Sequence, residues 1–322
     1  MQIKISVVIP TYRRPHLLRK CLTALTAQKF DQGCYEILVV SDGYDVITES
    51  VVREFSSIFP LITYHHLPVK KGPAAARNCG WKEARGKVVA FTDDDTVPDT
   101  NWLQAYWDAY DGTSLIAFTG KIKVPVSASP TEYERNTGGL ETANFVTANC
   151  CCTKEGLEKV HGFDERFSMA WREDSDLEFK LLQKQIPIIH VTEALIVHPV
   201  REAPWGISIK EQRKGMYNAL LYKKYPELYR KKIQPSPPWN YYIIVLSVLL
   251  MIFGALAGST AVFFAAFLCW LFFTVHFVIK RLSETSRSFM HVLEMIVTSM
   301  VIPFLSVYWQ LYGAYRYRVF FF

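Results

Sequence analysis

The sequence predicts an α/β fold, a mostly parallel sheet with flanking helices, followed by apolar C-terminal helices. Three observations predict it. Strand-like apolar runs alternate with helically spaced stretches from residue 3 to residue 92, the pattern of a parallel sheet with right-handed crossovers. Charged or turn-forming residues stand at the ends of three of those runs, where such sheets place ligands. From residue 241 onward long stretches are almost free of charge, while the chain before them reads as an ordinary soluble domain.

Each element has its own warrant. Residues 3–10, IKISVVIP, read as a buried strand rather than as a secretory leader. Residues 15–28 carry Leu17, Leu18, Cys21, Leu22 and Leu25 on one helical face. A second strand, 35–40, ends at SDG; a charged helix covers 46–59; a short strand covers 61–65. A helix over 74–84 follows KKGP, and the strand 88–92 runs into three consecutive aspartates. Further on, 116–125 and 145–153 read as strands, 154–160 as a short helix, and 188–197 as a strand. Residues 174–185 are amphipathic, with Leu177, Leu181 and Leu182 at helical spacing. Residues 127–142 are polar, with Pro130, Gly138 and Gly139, and are expected to be a mobile loop.

The 322 residues allow one large domain or two smaller ones. The division drawn is 1–232 for the α/β domain and 233–322 for a membrane region, with apolar helices at about 241–257, 260–279 and 292–312. The third stretch contains Glu294 and Pro303 and is followed by Arg316 and Arg318. It admits two readings, a full crossing or a re-entrant or interfacial arrangement. Residues 210–232 hold eight basic and two acidic residues, which accounts for the whole formal charge of +6. Such a patch beside an apolar stretch suits anionic lipid better than nucleic acid, and with the basic loop KRLSETSR it places the α/β domain on the cytoplasmic side. Of seven cysteines none forms a Cys-x-x-Cys pair, and Cys150, Cys151 and Cys152 are contiguous. That spacing suits neither a disulfide framework nor a zinc site and reads as small buried residues.

The chemistry centres on FTDDDTVPD. Three adjacent carboxylates repel one another, and a divalent cation with hard oxygen ligands is one reason to tolerate them; an acidic turn capping the next helix is the other. Asp42 ends another strand, and Thr11–Arg14 follow the first. Glu173, Asp174 and Asp176 open a helix in WREDSDLEF, where acidic residues also favour the helix dipole. His198, in IVHPVR, is open to two readings, metal ligand or packed residue. Trp171 is likewise open, as a ring that stacks on a sugar or as packing.

The stretches VVIPTYRR, ILVVSDG, KGPAAARNCGWKEARGKVVAFTDDD, GFDERF and WREDSDLEFKL occur in one order over residues 7–182. Together they resemble the family 2 glycosyltransferases of the GT-A fold, a Rossmann-like architecture, in their membrane-anchored bacterial form. The resemblance implies inverting transfer of one sugar from a nucleotide diphosphate sugar, dependent on Mn²⁺ or Mg²⁺. It implies Asp95 as the metal ligand, with Asp93 and Asp94 supporting metal and ribose. Asp42 would contact the base, with Thr11 and the backbone around Pro10 and Tyr12 lining the same pocket and Arg14 beside it. Arg77 would lie near the nucleotide or its phosphates. Asp174, next to Glu173, would be the general base. Some enzymes of this fold also place a histidine on the metal, at about the position of His198.

Rival readings fail on particular residues. DDDTV fits a phosphatase nucleophile motif, but three strands precede it where that motif follows the first. VIPTYRRP lacks the glycine-rich turn of a dinucleotide site. A processive synthase would carry Gln-x-x-Arg-Trp before its channel helices, and EQRKGMYNALLY does not. A non-catalytic scaffold would be expected to lose Asp95 or Asp174, and both are present. The expected partners are therefore a nucleotide diphosphate sugar, a glycan or lipid-linked acceptor and membrane lipids, with no nucleic acid. The expected setting is cell-envelope polysaccharide or lipopolysaccharide assembly at the cytoplasmic membrane.

Overall fold

The computed structural model describes residues 2–321. The chain divides into two compact units, residues 2–125 with 138–200, and residues 126–137 with 201–321.

The first unit is an eight-stranded sheet. Its strands are β1 Ile5–Thr11, β2 Tyr35–Ser41, β3 Ile62–His66, β4 Val88–Thr92, β5 Val97–Pro98, β6 Ala117–Lys123, β7 Asn149–Thr153 and β8 Ile188–Val197. They lie in the order β3-β2-β1-β4-β7-β6-β8-β5. The β3-β2-β1-β4 half is parallel, as the alternation of elements predicts. β7 then enters antiparallel to both β4 and β6, and β5 pairs antiparallel with β8. The sheet is thus mixed.

Both faces of β1 are buried, which explains its unbroken apolar run. Ile5, Val7 and Ile9 pack with Leu18, Leu22 and Leu25 of the helix Pro15–Thr26 and with Val51, Val52 and Phe55 of Val46–Ser56. Val8 faces the other way, with Trp81 of Pro73–Glu83, Leu157 of Lys154–Val160, and Leu177 and Leu181 of Glu173–Gln183. Cys150 and Cys152 join the second face and Cys151 the first; all seven cysteines are free thiols. One helix, Trp102–Ala109, is absent from the sequence reading. Its Trp102 Nε1 and Tyr106 Oη both donate to Asn149 Oδ1, at 2.8 and 2.7 Å, while Asn149 Nδ2 donates to the carbonyls of Lys121 and Ala194. A fully buried, fully satisfied amide of this kind locks β6, β7 and β8 in register.

The second unit contains the short helices Glu132–Gly138, Ile207–Glu211, Met216–Lys224 and Pro226–Lys232 and the long helices Trp239–Leu256, Thr260–Leu282 and Phe289–Tyr317. The three long helices are long and apolar enough to cross a membrane. Gly258, at φ 67°, makes the tight turn between the first two, and Ser259 caps the second.

The expectation of a mobile loop over 127–142 is corrected here. Residues 132–138 are helical and continue into a 3₁₀ turn, Gly139–Thr142. Thr131 and Glu134 form a reciprocal capping box: Thr131 N donates to Glu134 Oε2 at 2.7 Å, and Glu134 N donates to Thr131 Oγ1 at 3.2 Å. Glu132 is buried against Arg281 of the second long helix, whose Nε and Nη2 donate to its two oxygens at 2.6 and 2.5 Å. The polar composition that suggested a loop serves a cap and a buried ion pair whose other half lies 149 residues away.

Candidate active site

Four strand ends supply the site. β1 ends at Thr11, β2 leads into Asp42, β4 leads into Asp93–Asp95, and β8 leads into His198. The last juxtaposition depends on the two-residue strand β5. Val97 pairs with Val197, so the chain just after Asp95 is zipped to the residue before His198. His198 N also donates to Lys123 O at 2.8 Å. As a result, ligand atoms of Asp93, Asp95 and His198 lie within 4.8 Å of one another. His198 Nε2 is 3.6 Å from Asp95 Oδ1, and His198 Nδ1 is buried without a hydrogen-bond partner. Two carboxylates and an imidazole, one ring nitrogen unspoken for, form a donor set suited to a divalent cation of the Mn²⁺ type.

The three aspartates divide their work. Asp94 turns away from the cluster: Thr11 Oγ1 donates to its Oδ2 at 2.8 Å, and Arg14 Nη1 lies 3.2 Å from its Oδ1. This ties the end of β4 to the end of β1. Burial pushes the Asp94 carboxyl up to about 6, against the pull of Arg14. Asp93 is the most exposed of the three, and Arg77 Nη2 donates to its Oδ1 at 2.7 Å.

Arg77 is the link the sequence reading missed. Its side chain is buried, and its Nη1 donates to Glu173 Oε1 at 3.1 Å. One guanidinium therefore joins the aspartate cluster to the first turn of the Glu173–Gln183 helix. The resemblance implied a place for Arg77 near the nucleotide; here two carboxylates hold it. Glu173 is almost fully buried, and burial, aided by the charge of Asp174, pushes its carboxyl up to about 7 although Arg77 pulls the other way. Asp174, by contrast, is half-buried, its Oδ1 accepting from Ser175 N at 2.6 Å. Of the pair it is the more accessible carboxylate.

Asp42 is buried and accepts backbone amides, Lys71 N at 2.6 Å and Gly72 N at 2.9 Å. It thereby fixes the loop of KKGP. Gly72 is required there: its φ is 102°, and a Cβ would come within 2.3 Å of Ser168 O. The adjacent Lys70 Nζ sits 3.7 Å from the Tyr12 ring centroid, a cation–π contact. Pro10 is buried within β1, and Arg13 holds a left-handed φ of 52° at the turn after it. Arg172, at φ 73°, sets a second such turn before Glu173 and lays its guanidinium 4.5 Å from the centroid of the exposed Trp171 ring. Strained backbone at both turns is characteristic of ligand clamps.

The chain is similar to known glycosyltransferases. The family model described as glycosyl transferase family 2 matches residues 6–158. Glycosyltransferase AglE of Haloferax volcanii is 31% identical over 155 residues, 48% of this chain and 48% of that protein. The chondroitin synthase of Escherichia coli is 25% identical over 270 residues, 71% of this chain and 39% of that protein. The chain thus spans about half or less of the length of these two relatives. Among solved structures, the mannosyltransferase PcManGT from Pyrobaculum calidifontis, in complex with GDP-Man and Mn²⁺, superposes with a TM-score of 0.60 at 18% identity, covering 97% of this chain and 88% of that one. TarS of S. aureus does so with a TM-score of 0.52 at 16% identity, covering 77% of this chain and 49% of that one. The fold is that of the GT-A enzymes, and over residues 6–158 the chain is similar to glycosyl transferase family 2.

Proposed function

We propose that this protein transfers a single sugar from a nucleoside diphosphate sugar to an acceptor held at the membrane, with inversion at the anomeric carbon. The observation that carries the reading is the Arg77 bridge. It sets a cation-binding cluster, Asp93, Asp95 and His198, beside a helix start that bears an accessible carboxylate, Asp174. A leaving diphosphate needs the first and an attacking hydroxyl needs the second.

In this reading Asp93, Asp95 and His198 hold Mn²⁺ or Mg²⁺, which would neutralise charge on the departing diphosphate. Asp174 takes the proton of the acceptor hydroxyl as it attacks. Arg77 and Glu173 hold Asp93 and the helix start in place. Thr11, Tyr12, Arg14 and the Asp42-anchored loop line the nucleotide side, and Trp171 offers a ring face to a sugar. Nucleotides of both guanine and uracil type are named with neighbours of this fold, the sugar nucleotide GDP-Man with PcManGT and UDP with TarS. The apolar helices and the basic segment 210–232 favour a lipid-linked or membrane-bound glycan acceptor, with the sheet unit on the cytoplasmic side.

The test is hydrolysis and transfer with a panel of UDP-, GDP- and dTDP-sugars by the purified membrane form, with Mn²⁺, Mg²⁺ or EDTA. Metal-dependent turnover of one donor, lost in Asp95→Ala, is expected. Neither turnover nor metal-dependent donor binding anywhere in the panel would sink the reading.

A further inference from the structure

The helix Phe289–Tyr317 is long and apolar enough to cross a bilayer, but its surroundings within its own unit do not suit a crossing. Its 29 residues measure about 43 Å, well beyond the ~30 Å of a hydrocarbon core. More tellingly, the polar segment 206–223 accompanies it along most of its length. Gly206 N donates to Glu294 Oε1 at 2.7 Å near one end. Gly313 packs so tightly on Met216 that a Cβ would come within 2.4 Å of its carbonyl oxygen. Lys223 Nζ donates to Tyr317 O at 2.7 Å at the other end. Between these points the segment carries Lys210, Glu211, Arg213 and Lys214 and includes the 3₁₀ turn Gln212–Gly215. Four charges alongside a helix are expensive within hydrocarbon.

The two faces of the helix make the same point. His291, Thr298, Ser299, Gln310 and Gly313 are turned inward. Leu293, Val297, Val301, Tyr308, Leu311 and Tyr315 are exposed at helical spacing. The exposed row turns aromatic in its second half, with Tyr308, Tyr312 and Tyr315, a residue type favoured at a membrane–water boundary. The other two long helices differ. Their candidate spans are only 17% buried, against 39% for this one. The second of them meets it through its last turn, where Arg281 Nη1 donates to Thr298 Oγ1 at 2.7 Å and Ser299 Oγ at 2.9 Å.

We propose that only the hairpin Trp239–Leu256 and Thr260–Leu282 crosses the bilayer, and that Phe289–Tyr317 lies in the plane of the membrane surface with its exposed apolar face in lipid. The occupant of that face is the bilayer, because the helix packs against both hairpin helices and against the short helices that carry the basic residues Lys210, Arg213 and Lys223. This keeps Arg316 and Arg318 on the same side as the basic segment 210–232, as charge bias requires. The proposal rests on the reading that the hairpin spans and is independent of catalysis.

The test uses the full chain in sealed vesicles of known orientation, in a Cys79→Ser, Cys269→Ala background. Single cysteines at Ser57, Ala257 and Phe320 are labelled with a membrane-impermeant maleimide. Ser57→Cys and Phe320→Cys should label from one side and Ala257→Cys from the other. Nitroxides at Leu293, Val301 and Leu311 should report one shallow depth, about 5–10 Å below the headgroups, and one at Leu268 a position near the bilayer centre. Phe320→Cys labelling with Ala257→Cys, or a depth gradient from Leu293 to Leu311, means a third crossing and overturns the proposal. Ala257→Cys labelling with Ser57→Cys removes the hairpin reading and the proposal with it. Nitroxides shielded from lipid but broadened by one another across chains place a second copy on this face and overturn its lipid occupant.

Discussion

In the sheet unit, β1 buries Ile5, Val7, Val8 and Ile9 on its two faces, and the buried charges at its strand ends are held by partners: Asp94 by Thr11 and Arg14, Arg77 by Asp93 and Glu173. In the unit of 126–137 and 201–321 the long helices do the reverse. Phe289, Leu256, Phe272 and Tyr315 are exposed, while Arg281, Glu132, Thr298 and Ser299 form the interior. The same rule operates in both, since a polar group is buried only where its partners are supplied. What differs is the solvent each surface suits. The comparison teaches that a buried charge has two uses here: in the sheet unit it presets a site, and in the helical unit it clamps distant segments together.

Five measurements would break or sharpen that comparison. The largest effects are expected in the sheet unit. Asp95→Ala should lower turnover about 10³-fold through loss of charge stabilisation on the leaving group, and added Mn²⁺ should not restore it. Asp174→Asn should cost about 10²–10⁴-fold in kcat while donor affinity, followed by titration calorimetry, stays the same. A parallel loss of donor affinity would mean that Asp174 binds substrate rather than taking a proton.

Next comes the clamp. Arg281→Ala leaves Glu132 buried and unpaired, at a cost of about 3–5 kcal/mol in unfolding free energy, read in detergent by denaturant titration. The double variant Arg281→Met with Glu132→Leu should recover most of that loss. If it does not, the pair contributes more than mutual neutralisation.

A smaller effect concerns pH. Glu173 is held at about 7 when folded against an ordinary 4.5, so the folded chain keeps a proton that the unfolded chain has released. Its contribution to stability is fully present below about pH 4.5 and is lost as pH rises through about 7. Glu173→Gln should flatten this part of the profile in EDTA, measured as the difference between the two proteins' thermal midpoints across that window. An unchanged difference would show that Arg77 keeps Glu173 ionised throughout.

The smallest effect is expected at the surface. Arg19 pairs with Glu54 at 2.8 Å in full solvent exposure, and Arg19→Ala should leave the midpoint unmoved.

Local pattern made much of this molecule legible. Period and turn chemistry place β1 to β4, the helices between them and the three apolar helices within a few residues of where they lie, because those elements are set by which residues face apart along the chain. The aspartate triplet, Asp42, Thr11 and the Glu173–Asp174 pair were readable as strand-end and helix-start polar groups for the same reason. Residues 127–142 were misread because Glu132 owes its burial to a partner beyond any local window, although the Thr131–Glu134 capping box was there to be seen. By itself, then, the sequence determined the alternation of elements, the apolar tail and the residue types available for chemistry. Only the tertiary structure decided that Asp93 and Asp95 face His198 while Asp94 faces Arg14, that Arg77 ties the aspartates to Glu173, and that the third apolar helix has a polar companion along its length. Each of these is a contact between residues far apart in the chain, made by strand register or helix packing, and the periodicity of a single segment carries no information about either.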